Sequence, residues 1–174
     1  MHTEIERKFL VDAGRWRPPA AGIHVVQGYI STEPGRVVRV RIQRRPGQAA
    51  EAILAIKGER EGPVCPEWEF SIGVGEAREL LDRVCLKPPI EKIRYEVEVG
   101  GWRWEVDEFL GANAGLVLAE IELPAADASF ELPPFVGAEV TDDPRYTNAY
   151  LAAHPFGSWP EQEPGSPAGG RRRP

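Results

Sequence analysis

Cysteine, histidine and methionine are scarce in this chain: two, three and one among 174 residues. Neither Cys65 nor Cys85 belongs to a Cys-x-x-Cys pair, and His2, His24 and His154 offer them no zinc-type spacing. That excludes a zinc ribbon or a disulfide-stapled scaffold and points to a reduced, cytoplasmic protein. Long apolar runs are also missing, so no membrane span is expected, and the charged start is unlike a secretion signal. No Gly-x-x-x-x-Gly-Lys or Gly-x-Gly-x-x-Gly occurs, so any phosphate bound here must be held by side chains. Net positive charge is lacking too. A formal charge of −6 and a pI near 5.2 argue against nucleic acid held by the overall field. They do not exclude an anionic ligand, because a lined cleft and bound divalent ions set the local potential.

What is present is strand after strand. At 42% hydrophobic, the chain suits one domain with a real core. Residues 3–11, 25–31, 36–44, 52–58, 65–72, 90–99, 102–109 and 116–123 are rich in Val, Ile, Trp, Tyr and Phe. Turn clusters such as Pro34-Gly35, Pro46-Gly47, Gly62-Pro63 and Gly100-Gly101 separate them. Ala77, Leu80, Leu81 and Val84 fall at helical spacing within 76–84, and Pro88-Pro89 stops that helix. A second helix is expected from Pro144 to about Ala153, capped by Asp142 or Asp143. From Gly157 onward, Pro, Gly, Ser, Glu and Arg dominate around a lone Trp159. Residues 1–156 are therefore expected to fold as one domain, and 157–174 to remain a disordered tail.

The charges are sorted by strand. Acidic pairs at i, i+2 are Glu4/Glu6, Glu67/Glu69, Glu105/Asp107 and Glu120/Glu122. Basic pairs are Arg39/Arg41 and Lys92/Arg94, joined by Lys8 and Lys57, while the alternate positions are mostly apolar. For any single pair, the wet face of a half-buried sheet is the ordinary reading. Solvent faces, however, usually mix the two signs on one strand, since like charges there gain nothing. Segregation by strand favours the charged face lying inside a closed antiparallel barrel wide enough for water and a ligand. Acidic strands would then seat divalent cations, beginning with the Glu4-Ile5-Glu6-Arg7-Lys8 run. Basic strands would grip the anion that those cations bridge. A linear chain of phosphates with Mg²⁺ or Mn²⁺ fits that description.

These residues resemble the CYTH family, also called triphosphate tunnel metalloenzymes. Glu-Ile-Glu-Arg-Lys-Phe-Leu-Val at 4–11 is similar to the family's opening. The resemblance runs on through Gln27-Gly28-Tyr29, Arg39-x-Arg41, Ala55-Ile56-Lys57-Gly58 and Glu67-x-Glu69. It continues in Glu91-Lys92-x-Arg94-Tyr95, Glu105-Val106-Asp107 and Glu120-x-Glu122, and ends in Glu139-Val140-Thr141-Asp142-x-x-Arg145-Tyr146-x-Asn148. It covers residues 3 to about 153 and is strongest to the small bacterial triphosphatases.

The resemblance implies a mainly β fold: an eight-stranded antiparallel closed barrel, or tunnel, with helices outside and a C-terminal helix. It implies Mg²⁺- or Mn²⁺-dependent hydrolysis of inorganic triphosphate or another triphosphate compound. Alternatives are a class IV adenylyl cyclase, a thiamine triphosphatase and, ranked lowest, a non-catalytic polyphosphate- or nucleotide-binding module. Glu4, Glu6, Glu120 and Glu122 would be the main metal seat, completed or oriented by Glu67, Glu69 and Asp107. Lys8, Arg39, Arg41, Lys57, Lys92 and Arg94 would hold the phosphates, with Lys57 or Lys92 donating to the leaving group. Tyr29 and Tyr95 read as core or rim aromatics, and Trp16, Trp68, Trp102 and Trp104 as outer packing. The expected partner is a small triphosphate compound, a homodimer being compatible; neither nucleic acid nor membrane is expected.

Overall fold

A computed structural model of the chain describes residues 5–19, 21–59, 66–125 and 127–160. All eight expected strands form, with bounds within two residues of those read from composition. They are β1 (Ile5–Val11), β2 (Ile23–Ser31), β3 (Val37–Arg44), β4 (Glu51–Lys57), β5 (Glu67–Ile72), β6 (Ile90–Val99), β7 (Trp102–Phe109) and β8 (Val117–Leu123). A ninth, β9 (Val136–Glu139), pairs antiparallel with β1. Its four residues, Val-Gly-Ala-Glu, carry little intrinsic strand preference; the free edge of β1 recruits them. The helices are α1 (Val74–Arg83) and α2 (Asn148–Ala153).

The strands make one antiparallel sheet in the order β5-β4-β3-β2-β6-β7-β8-β1-β9. Two expectations are corrected here. The sheet has nine strands rather than eight, and hydrogen bonds do not close it, because β5 and β9 remain its edges. It nevertheless wraps around a single hollow, since β1 through β8 all contribute side chains to one cavity. The twist of a long sheet curls it around that hollow without closing it.

Alternation sorts the two faces. On the outside of β2–β4, α1 packs Ala77 and Leu81 against Val40 and Ala52. Gly28 makes this approach possible: a Cβ there would stand 2.8 Å from both Leu81 Cδ2 and Cys85 Cβ. On the outside of β1, β7 and β8, Phe9, Trp104, Val106 and Ile121 are covered by Trp16, Phe130 and Phe135. Trp104 is fully buried there, whereas Trp68, on the outside of β5, is half exposed.

The expected second helix is broken. Pro144–Tyr146 form a 3-10 turn capped by Asp143, whose carboxylate accepts from the Arg145 amide. Thr147 is extended and caps α2 by accepting from Tyr150 N–H. This hinge lets α2 turn inward. Leu151 and Ala152 pack with Tyr146 on Tyr29, Ile90, Phe109 and Leu118, residues of the inner face, so α2 plugs one end of the hollow. Trp159, grouped with the tail in the sequence reading, packs edge-on against Tyr146 with ring centroids 5.5 Å apart. The ordered domain thus reaches beyond residue 156. The rest of the tail, from residue 161, lies outside the described residues, as do Glu4 and Cys65.

Candidate functional site

The hollow has a volume of about 1160 Å³. Of the candidate residues, Glu6, Lys8, Arg39, Arg41, Lys57, Glu67, Glu69, Arg94, Glu120 and Glu122 line it. The inward orientation expected from the sorted charges therefore holds for ten positions on six strands. Glu4 lies outside the described residues. Lys92 and Asp107 are placed differently. Both are fully buried behind the wall, where Lys92 Nζ donates to Asp107 Oδ2 at 2.5 Å and to Asn148 Oδ1 at 3.4 Å. Neither is among the residues that line the cavity, and Asp107 stands where it can orient Arg94.

Register puts opposite charges beside each other on the acidic side. Lys8 stands across from Glu120, and Arg94 from Asp107. Lys8 Nζ bridges Glu120 at 2.8 Å and Glu6 at 3.4 Å. Arg94 grips Asp107 through Nε at 2.7 Å, reaches Glu120 at 3.1 Å and pairs with Glu105. Burial works to raise Glu120, but Lys8 and Arg94 outweigh it and hold that carboxyl well below the usual range. Burial likewise opposes the Lys8 charge, and Glu120 with Glu6 overcomes it, raising the ammonium. Glu6 behaves oppositely: burial, with Glu120 beside it, pushes its carboxyl up to about 7. Burial also lowers the walled-in Lys92 to about 8, against the pull of Asp107.

The basic side differs. Lys57 pairs with Glu67 at 3.2 Å, and Arg39 reaches Glu67 and Glu69, both at 3.3 Å. Arg41, across β2 from Gln27, makes no hydrogen bond or ion pair among the described residues, and its buried Nε has no partner. Burial, with Arg39 and Arg94 near, lowers its guanidinium to about 10. A half-hidden cation without a counter-ion is costly unless an anion arrives to meet it.

A divalent ion can be tested against this donor set. The carboxylates facing the hollow are all hard oxygen donors. Among the described residues no three are grouped closely enough to hold an ion, and Lys8 and Arg94 lie against the Glu120 oxygens. The residues fit a hard cation in type and sign, with Lys8 the group that must move aside.

Glu105, Arg103 and Tyr29 are among the lining residues that the sequence did not assign to the site. Glu105 was visible as the partner of Asp107, and alternation could not say which of the two would be walled in. Arg103 continues the same inward series on β7 and contacts Glu96 and Glu105. Tyr29, read as core or rim, contributes to both: it is nearly buried yet lines the cavity. Burial raises its phenol above the ordinary range, so it stays protonated.

Comparison with known proteins agrees with this geometry. The CYTH domain model matches residues 2–147. A protein of Acetivibrio thermocellus named inorganic triphosphatase is 45% identical over 161 residues, covering 92% of this chain and all of the relative. Another so named, from Nitrosomonas europaea, is 36% identical over 156 residues, covering 86% of this chain and 97% of its own length. The crystal structure of the inorganic triphosphatase NE1496 aligns with a TM-score of 0.64 at 34% identity, covering 87% of this chain and 95% of that one. A charged hollow lined from eight strands, and a family model spanning most of the sequence, lead to one assignment: the chain belongs to the CYTH family.

Proposed function

We infer that this protein hydrolyses inorganic triphosphate, or a compound carrying a triphosphate, to the diphosphate and phosphate with a divalent metal. The observation that carries the reading is Arg41: a guanidinium turned into a large cavity, its Nε unpartnered and no acid paired with it among the described residues. A multiply charged anion supplies what it lacks. The names of the relatives, inorganic triphosphatase, support the same substrate class.

Phosphoryl transfer asks little covalent chemistry of the protein and much positioning and electrostatics. Arg39, Arg41 and Lys57 are the cations available to the phosphates from the basic side. Lys57, on the cavity surface, is the better placed of the two lysines to donate toward the leaving group; Lys92 instead keeps Asp107 fixed for Arg94. Glu6, Glu120 and Glu122, with Glu4, would hold Mg²⁺ or Mn²⁺, and Glu67 and Glu69 would steady Arg39. When bound, the ion neutralises phosphate charge and makes water more acidic. With the ion on Glu120 and Glu6, Lys8 would have its ammonium free for a phosphate oxygen. The cage grips any triphosphate tail alike. A small soluble triphosphate as partner, a homodimer as an allowed state and a cytoplasmic location complete the proposal; the free, buried Cys85 fits a reducing compartment.

The test is incubation of purified protein with inorganic triphosphate, ATP or thiamine triphosphate and Mg²⁺ or Mn²⁺, following phosphate and cyclic AMP. Phosphate release from inorganic triphosphate, abolished by chelator, is expected. Cyclic AMP from ATP as the main product would replace hydrolysis by cyclisation.

A further inference from the structure

Gln27 has a residue's worth of polar capacity and no evident structural use for it. Its side chain is fully buried on the inner face of β2, and it is not part of the cavity surface. Its Nε2 donates to the Tyr29 hydroxyl at 3.2 Å, while its Oε1 is buried without a partner. A fold needing only volume there would do better with leucine or methionine, since an unmet buried acceptor is destabilising.

The hydroxyl that Gln27 touches is in an unusual position. Tyr29 lies opposite Arg39, immediately before a break in register between β2 and β3, the kind of irregularity that re-aims a side chain. It lines the cavity. The charged groups acting on it are Arg39, Arg41, Lys8 and Glu120. Arginine and lysine only donate, and Glu120 is engaged by Lys8 and Arg94. With its oxygen accepting from Gln27, the phenol keeps one proton and has no hydrogen-bond acceptor for it among the described residues. An acceptor must come from the cavity, and phosphate oxygens are acceptors.

We propose that Gln27 is a positioning residue for triphosphate hydrolysis: by donating to Tyr29 it turns the phenol proton toward the cavity, where that proton bonds a phosphate oxygen of the substrate. The proposal rests on the triphosphatase reading above.

Gln27→Met and Gln27→Leu keep the volume and remove the amide. Each is expected to lower kcat for inorganic triphosphate about tenfold, the scale of one lost orienting hydrogen bond. KM should stay within about twofold of wild type, and the melting temperature should be equal or higher. Tyr29→Phe should lose a similar factor, and Gln27→Met should add nothing in the Tyr29→Phe background. A wild-type kcat in both Gln27 variants, an unaffected Tyr29→Phe, or full multiplication of the two losses would overturn the proposal. Failure of both Gln27 variants to fold would overturn it too, by making the amide a structural necessity. Absence of turnover in the wild-type protein would instead defeat the activity reading, which separates the two outcomes.

Discussion

On the β7–β8–β1 side of the hollow, charge is settled within the protein; on the β3 side it is left open. Glu120 is held by Lys8 and Arg94, and Asp107 by Lys92 and Arg94. Across the cavity, Arg39 has two glutamates at the limit of reach and Arg41 has none among the described residues. The paired side is a folded-state structure in its own right. The unpaired side makes sense only with an anion present. One wall therefore contributes to stability as well as to function, while the other gives up stability for binding.

Breaking the open wall should cost activity alone. Arg41→Met is expected to lower kcat/KM for inorganic triphosphate about 100-fold, the worth of a charge-assisted hydrogen bond or two. Its melting temperature should match or exceed wild type, because an uncompensated buried cation is gone. A large drop in melting temperature would mean that Arg41 has a structural partner after all. Breaking the closed wall should harm both. Glu120→Gln, which leaves Lys8 and Arg94 short of an acid, is expected to abolish metal-dependent turnover and to lower stability by about 3 kcal/mol in denaturant melts.

The same contrast separates the two lysines. Lys92→Met strands Asp107 in the wall and should reduce stability by about 3 kcal/mol. Lys57→Met should leave the denaturation midpoint within about 0.5 kcal/mol of wild type while reducing kcat, as befits a partly exposed ion pair. Equal midpoints for the two variants would contradict the placement of Lys92 behind the surface.

Glu6 allows a finer test in metal-free buffer. Its carboxyl sits near 7 in the fold against an ordinary 4.5, so the folded state keeps a proton that the unfolded chain has already lost. Its contribution thus turns against the fold as pH rises from about 4.5 to 7, and the penalty is complete above that. Glu6→Gln should melt higher than wild type at pH 8 and match it at pH 4. Away from both walls, and with activity kept, Trp159→Ala should destabilise by about 1–2 kcal/mol through lost aromatic packing on Tyr146 and Phe156. No change in melting temperature would return residues 157–160 to the tail.

Much of this was legible beforehand, for particular reasons. Period-two alternation in strands such as Arg39-Val40-Arg41 or Glu120-Ile121-Glu122 places like residues on one face, and the sorting of signs by strand argued that the face was an interior one. Ten of the expected lining residues accordingly meet in one cavity. β9 was not legible, because four weak residues pair only where β1 offers an edge. Nor was the break at Thr147, which the helical run to Ala153 conceals and the inward turn of α2 requires. Asp107 and Glu105 look equivalent in sequence, and so do Lys92 and Arg94; the first of each pair is walled in and the second faces the hollow.

Local order, then, was written in the residues themselves: where strands run, which side chains share a face, and which family the motifs resemble. Depth and partnership were not. Whether a given charge meets a counter-charge, lies behind the wall or stands open to a ligand depends on sheet order, stagger and curl. Those bring together residues far apart in the chain, as Lys8 with Glu120 and Gln27 with Arg41. Alternation is a property of neighbours along the backbone, whereas the pairing of charges is a property of neighbours in space.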